Sequence, residues 1–467
     1  MSGKGTQHFD VAVIGSGPAG QKAAIQAAKG GRRVVMIERE RRVGGSCVHR
    51  GTIPSKTLRE TALQLVALRR GGNQLSLQMD PNTEVATLMT RLDEVTDSHA
   101  RFMRGHLDHN SIEFITGRAS FTGPHSLRVQ RVRGEALQIN ADIIVVGTGS
   151  HPRKPPDVPI DHEHILDSDS ILSMIYLPTS MTVLGAGVIA SEYAAIFSAL
   201  GVKVTIIDKG PRPLAFMEPE LSAHFLKEFE DSESRYIPGA SIKEVVWDGL
   251  STVRTTLESG EVIEGDKMLC ALGRLANVEG LNLEAAGIAQ TARGHIQVNA
   301  YCETSVKGVY AVGDVIGPPA LASASMEQGR RAMLHALGLP EGTSTEHIPV
   351  GIYTIPEMSS VGLTEAQATE RHGACTVGRA TFSEVARGQI SNDRGGMLKL
   401  VADDKGQRLL GAHIVGGGSC ELIHIAQVAL ISGWSIQGFV DNIFNFPTLA
   451  EAYRIAALNL LNSPRLK

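Results

Sequence analysis

The stretch from Phe9 to Glu40, FDVAVIGSGPAGQKAAIQAAKGGRRVVMIERE, decides the fold. An apolar strand runs into a tight turn, an alanine-rich helix follows, and a second apolar strand ends on Glu38. Gly15 permits the turn, Gly17 lets backbone approach a pyrophosphate, and Gly20 lets the helix pack on the strand. A phosphate would then sit at a helix N-terminus, where backbone N–H groups and the helix dipole favour negative charge. Glu38 lies 23 residues beyond Gly15, close to the spacing at which a carboxylate accepts hydrogen bonds from ribose hydroxyls. Strand, turn, helix and acid together describe a dinucleotide site rather than a glycine-rich turn of purely structural use.

The design recurs from Met181 to Asp208, MTVLGAGVIASEYAAIFSALGVKVTIID. Gly185, Gly187 and Ala190 repeat the turn, and Asp208 repeats the terminal acid at the same spacing. Two dinucleotide sites call for two cofactors, most simply a bound flavin (FAD) and an exchangeable nicotinamide (NAD or NADP), with hydride passing between them. Asp208 favours NAD, because a carboxylate repels a 2′-phosphate. Lys209 and Arg212 follow it, and either is positioned by sequence to swing toward that phosphate, the arginine bidentately.

Composition agrees with a multidomain α/β protein. The chain has 467 residues, 42% hydrophobic, enough for two or three domains, and its 50 glycines suit nucleotide-binding loops. A formal charge of −4 provides no field for nucleic acid, and clusters such as Arg39, Arg41 and Arg42 read as solvated surface. The polar start MSGKGTQHFD leads into the first strand, and no apolar run is long enough to cross a membrane. A cytoplasmic protein with no membrane partner is expected. Five cysteines, at 47, 270, 302, 375 and 420, have no paired spacing, so neither a disulfide framework nor a metal site is expected.

The predicted organisation is discontinuous: two Rossmann-like dinucleotide-binding domains plus a C-terminal α+β domain. Residues 1–150 and 274–344 form the FAD-binding domain, 151–273 the NAD(P)-binding domain, and 345–467 the dimerisation domain. Thr148 and Gly149, after the apolar strand ADIIVVG, form a second wall of the flavin pocket, and the prolines at 152, 155 and 156 mark a crossover. Gly313 and Asp314 end the strand beginning at Val309 and precede a long helix, returning the chain to the flavin, where the aspartate suits a ribityl hydroxyl.

Residues 44–56, GGSCVHRGTIPSK, closely resemble the redox segment of the pyridine nucleotide:disulfide oxidoreductases, with Gly44 and Gly45 against the flavin and Cys47 as the first thiol. Thr52 stands where the second thiol belongs, and a hydroxyl can neither attack nor resolve a disulfide near neutral pH. LDSDSILS (Leu166–Ser173), PVGIYTIPEMSSVG (Pro349–Gly362) and FNFPTLAEAYRIAALNLLN (Phe444–Asn462) resemble one branch of that family, the soluble Si-specific NAD(P)+ transhydrogenases. The resemblance covers essentially the whole chain. It implies that Lys56 lies beside the flavin ring, paired with Glu192, and that Gly273 belongs to the nicotinamide site. It implies a homodimer through the region around Gly411–Leu430, possibly in larger assemblies. It also implies that Phe446 replaces a histidine general base and packs near the subunit cleft, leaving Glu451 without an imidazole to orient.

The implied activity is reversible hydride transfer between NADPH and NAD+ through FAD in a ping-pong cycle, without a redox-active disulfide. Two other readings stay open at this point: a diaphorase or oxidase passing electrons from NAD(P)H to quinones or oxygen, and a vestigial flavin-binding sensor.

Overall fold

The computed structural model describes residues 6–75, 81–342 and 346–464, with side chains omitted over 65–75 and 81–89. Strand Gln7–Ile14 pairs in parallel with Val34–Glu38 and with Leu137–Val146, and Leu137–Val146 pairs in parallel with Val309–Ala311. Residues 11–14, 34–37, 144–146 and 309–311 of these strands are apolar runs buried on both faces, as parallel strands covered by helices must be. An antiparallel meander, Glu113–Gly123 and Ser126–Arg131, extends the same sheet. On one face, helix Pro18–Lys29 packs against helix Ala322–Ala336. The approach is so close that a Cβ on Gly329 would overlap the carbonyl of Ala19.

A second, all-parallel sheet is built from Ile165–Asp167, Ser180–Leu184, Lys203–Ile207, Arg235–Ile237 and Lys267–Cys270. A three-stranded antiparallel sheet, Ile242–Trp247, Val253–Leu257 and Val262–Gly265, packs beside it. The two crossings between the nucleotide-binding units pair with each other, Ser150–Pro152 running antiparallel to Arg274–Ala276. A five-stranded antiparallel sheet with helices Ser419–Ser432 and Glu451–Leu461 completes the chain.

The units share a core. The cluster around Phe197, Phe225 and Leu269 takes in Leu58 and Ala62 from helix Thr52–Leu75, and Ile352, Met358 and Val415 from the C-terminal sheet. A buried ion cluster adds a polar link. The fully buried Lys399 ammonium lies 2.8 Å from Glu218, 2.5 Å from Glu220 and 2.6 Å from Glu365. Arg379, bonded to Glu220, holds that carboxyl down at about 2, with Lys399 acting in the same direction. Among the described residues these three glutamates are the only acidic group compact enough for a metal ion, and the lysine ammonium already fills it.

The expected run from Gly313 straight into a long helix is interrupted. Gly313–Ile316 form a short 3₁₀ turn, and the long helix starts at Ala322. Pro318 and Pro319 lack the N–H groups that a continuous helix would need.

Candidate functional site

The two fingerprints open into one cavity of about 1720 Å³, larger than the 300–1,000 Å³ usual for a pocket holding one drug-sized ligand. Gly17 and Gly187 cap their helices in extended conformation, and nothing lies within 4 Å of where a Cβ would stand on either. Each is a cradle at a helix N-terminus, the shape and polarity a pyrophosphate requires. Gly15, at φ +103°, passes so close to Gly147 that any side chain would collide, and Gly185 repeats the conformation at φ +98° against Ala271. Gly20 and Ala190 lie behind their turns and pack the helices onto the strands.

The terminal acids are fixed by their own turns. Glu38 Oε2 accepts from the backbone N–H and the hydroxyl of Ser16, both at 2.8 Å, and Oε1 accepts from Glu40 N at 3.0 Å. Asp208 Oδ1 accepts from Ala186 N at 3.0 Å and Oδ2 from Gly210 N at 2.6 Å. Both acids line the cavity. Tyr236 locks the second turn further by donating to Gly210 O, and burial with the nearby Asp208 charge pushes its phenol up to about 12.

Between the fingerprints stands the pair Lys56 and Glu192. Helix Thr52–Leu75 has Pro54 in its first turn, where a missing N–H costs nothing, and this sets Lys56 at the cavity wall. Its Nζ lies 2.6 Å from Glu192 Oε2 and 4.9 Å from the centre of the Tyr353 ring. Tyr353 N donates to the other Glu192 oxygen at 2.9 Å, so the carboxylate is held from both sides. Cys47 and Thr52 both line the same wall. Burial raises the Cys47 thiol above its ordinary value. The Thr52 side chain and the Lys56 charge offset part of that rise, and Asp314 adds to it. Near neutral pH the sulfur is therefore a thiol, a poor nucleophile.

Thr148, Gly149, Gly273, Gly313, Asp314 and Gly45 also line the cavity, and Gly44 sits just behind, its N–H donating to Ser16 Oγ at 3.1 Å. The donors, cradles and acids fit an FAD at the first fingerprint and a nicotinamide nucleotide at the second.

Comparison with known proteins gives a family over nearly the whole length. The pyridine nucleotide-disulphide oxidoreductase model matches residues 9–329, and the dimerisation domain of the same family matches residues 348–457. The chain belongs to the pyridine nucleotide-disulphide oxidoreductase family. Proteins named soluble pyridine nucleotide transhydrogenase are 42% identical over 461 residues in Mycobacterium bovis and 40% identical over 460 residues in Photobacterium profundum. The first alignment covers 98% of both chains, the second 97% of this chain and 98% of the relative. Among solved structures, the HOCl-induced flavoprotein disulfide reductase RclA from Escherichia coli, as its Cu(II) complex, superposes with a TM-score of 0.88 at 28% identity, covering 97% of this chain and 99% of its own. LpdA from Mycobacterium tuberculosis gives 0.89 at 25% identity, covering 97% and 100%. This oxidoreductase is thus an NAD(P)H-linked flavoprotein with FAD as its bound cofactor.

Within that family framework, three expected residues lie off the cavity wall. Arg212 is not on the cavity wall. Its guanidinium donates to the carbonyls of Leu214, Ala215 and Met217 and to the Ser222 hydroxyl, holding the loop before helix Pro219–Glu230, so it is not free for a 2′-phosphate. Lys209 is exposed beside Asp208 but does not line the cavity. Phe446 is also off the wall, 69% exposed on the single chain, and Glu451 receives the Thr448 N–H at 3.3 Å.

The flavoprotein also uses residues that sequence reading missed. Tyr353, inside the motif at Pro349–Gly362, completes the Glu192 site. Ser16, between two of the fingerprint glycines, orients Glu38. Tyr193, next to Glu192, lines the cavity with a buried hydroxyl that has no hydrogen-bond partner among the described residues. Arg274 follows Gly273 directly and lines the same wall.

No helix among the described residues is long and apolar enough to cross a membrane.

Proposed function

We propose that this flavoprotein is a reversible NAD(P)+ transhydrogenase working in two successive half-reactions at one flavin, without dithiol chemistry. The observation that carries the reading is what shares the cavity wall with Cys47: a threonine, Thr52, and not a second cysteine, beside the Lys56–Glu192 pair. The relatives named transhydrogenases support it.

An FAD held at Gly15, Gly17 and Glu38 would supply a two-electron carrier able to accept and release hydride. Gly185 and Gly187 receive the nucleotide pyrophosphate, and Asp208 accepts from its ribose. Lys56 presents a cation toward the flavin ring and favours its reduced form. Glu192, only 6% exposed, keeps that ammonium in place and limits the cost of burying it. The NADPH/NADP+ and NADH/NAD+ couples differ only by a remote 2′-phosphate, so the exchange is nearly thermoneutral and the protein contributes positioning rather than a proton relay.

The working unit in this reading is a homodimer, with larger assemblies open to it. The dimerisation domain exposes Val428, Ile431, Ile443 and Phe446 on the single chain, which supports a covered apolar face. The flavin domain takes residues 1–150 and 274–344, the nicotinamide domain 151–273 and the dimer domain 345–467. The protein works in the cytoplasm.

Anaerobic stopped-flow tests the central claim. The flavin is bleached with NADPH and then mixed with NAD+, lipoamide, glutathione disulfide or a quinone. Recovery of flavin absorbance with NAD+ within the turnover time, and none with the disulfides, is expected. Recovery with quinone or oxygen alone would identify a diaphorase or oxidase. Failure of either nucleotide to bleach the flavin would leave a sensor.

A further inference from the structure

Where the chain crosses between its nucleotide-binding units, Ser150–Pro152 and Arg274–Ala276 form a two-stranded ribbon, with Ala276 opposite Ser150 and Arg274 opposite Pro152. The Arg274 guanidinium folds back across this ribbon and uses all three of its nitrogens. Nε donates to Ser150 Oγ at 2.9 Å, one terminal nitrogen donates to Ser150 O at 2.8 Å, and the other donates to Ser168 Oγ at 3.1 Å. The last also lies 3.7 Å from Asp169 Oδ1. Ser150 Oγ in turn donates to Asp314 Oδ2 at 2.7 Å.

The direction of this chain is fixed by chemistry. A guanidinium has no acceptor, a carboxylate has no donor, and a serine hydroxyl has one hydrogen. Ser150 must therefore accept from Arg274 and give its only proton to Asp314. Ser150 and Ser168 are buried, and all five residues line the shared cavity. Asp314 belongs to the flavin side, whereas Ser168 and Asp169 follow the first strand of the nicotinamide sheet.

We propose that Arg274 is a positioning residue: acting through the Ser150 hydroxyl it holds the Asp314 carboxylate for the flavin, while its other arm holds Ser168 and Asp169, so one guanidinium keeps the two cofactor sites in register. The proposal rests on Asp314 facing FAD and does not depend on which acceptor finally takes the hydride. Lysine does not substitute, because its single ammonium cannot span three acceptors in fork geometry.

The test is FAD titration of the apoprotein for Ser150→Ala, Arg274→Met, Arg274→Lys and the Ser150→Ala/Arg274→Met double variant. It is joined to anaerobic flavin reduction by NADH in the reloaded proteins. Losing charge-assisted hydrogen bonds predicts FAD dissociation constants raised about 5-fold for Ser150→Ala and about 10-fold for Arg274→Met. Because the two act in one chain, the double variant is expected to stay within about 2-fold of Arg274→Met alone. Arg274→Lys is expected to resemble Arg274→Met. In the loaded variants the reduction rate at saturating NADH falls, while half-saturation by NADH moves by less than about 2-fold, a split that loss of stability alone would not produce.

Additive effects, parental affinity in Arg274→Lys, or unchanged affinity in both single variants would overturn the proposal. If Arg274→Met fails to fold, Ser150→Ala decides alone: weakened FAD binding supports the chain and parental binding ends it. Should NAD+ fail to reoxidise the flavin, the transhydrogenase reading falls while these affinities keep their meaning.

Discussion

The two fingerprints share a design and differ in what lies over them. In the first, the segment beginning at Gly44 folds back across the turn, bringing Gly45 so close that a Cβ on it would stand 3.0 Å from the Cα of Gly17. The Gly44 N–H bonds to Ser16 Oγ, and Ser16 in turn holds Glu38. Among the described residues no glycine packs onto Gly187 in this way, and Asp208 is held by its own turn through Ala186 and Gly210. The same strand–turn–helix unit thus makes a roofed site and an open one. A roofed dinucleotide site suits a cofactor that stays; an open one suits a nucleotide that must leave within each turnover.

The comparison breaks most directly at the cradles. Gly17→Val places a branched side chain where pyrophosphate approaches, and FAD affinity is expected to fall more than about 100-fold. Gly187→Val should leave flavin content intact and abolish bleaching by NADH or NADPH, while dithionite still bleaches it. Measuring flavin content and nucleotide reduction on both variants settles the matter. If each variant lost both properties, the sites would not be separable and the distinction between retained and exchanged cofactor would fail.

The pair between the sites gives the next largest effect. Lys56→Met removes the cation beside the flavin and is expected to slow flavin reduction at saturating NADH about 100-fold, in the range seen when a single charge-stabilising donor is deleted. Glu192→Gln keeps an acceptor for Tyr353 N but weakens the hold on Lys56, and about a 10-fold loss is expected by the same scale. Equal rates in Glu192→Gln and the parent would mean the ion pair is structural only.

The roofing segment is sharpened by a gain rather than a loss. Thr52 and Cys47 line the same wall five residues apart, so Thr52→Cys puts a second sulfur beside the first. Anaerobic reductive titration of the oxidised variant should consume one additional electron pair per flavin. Glutathione disulfide and lipoamide should remain poor substrates, because Phe446 supplies no general base. Uptake unchanged from the parent would show that the cysteines cannot close a disulfide in this backbone.

These particulars also show what was legible in sequence. Gly15, Gly17, Glu38 and their counterparts are local: turn, helix and acid fall within about thirty residues, so the pattern carries the geometry with it. The Cys47–Thr52 pair is local too. Arg274 was not legible, because its meaning depends on two crossings, separated by more than a hundred residues, becoming neighbours in one ribbon. The Lys399 cluster is hidden for the same reason, its three glutamates coming from two units and meeting only after folding. Tyr353 lay inside a quoted motif, yet the contact by which it holds Glu192 is a backbone N–H, which side-chain identity does not announce.

The smallest effect concerns which nucleotide the open site prefers. Side-chain chemistry made Arg212 the natural partner for a 2′-phosphate, but three carbonyls and the Ser222 hydroxyl already take its donors. Arg212→Ala should therefore lower the thermal midpoint, by leaving those carbonyls without donors, and shift half-saturation by NADPH and NADH together. Lys209 is different: it is exposed, next to Asp208, and no hydrogen bond among the described residues holds it in the way Arg212 is held. A solvated cation near a phosphate contributes about 0.2–1 kcal/mol, so Lys209→Ala should raise the NADPH half-saturation about 2- to 5-fold and leave NADH unchanged. The effect should shrink as salt is raised, since the charges are screened. If Lys209→Ala moved both nucleotides equally, discrimination at the open site would rest with Asp208 alone. The two fingerprints would then differ in their roofs but not in how their terminal acids read a ribose.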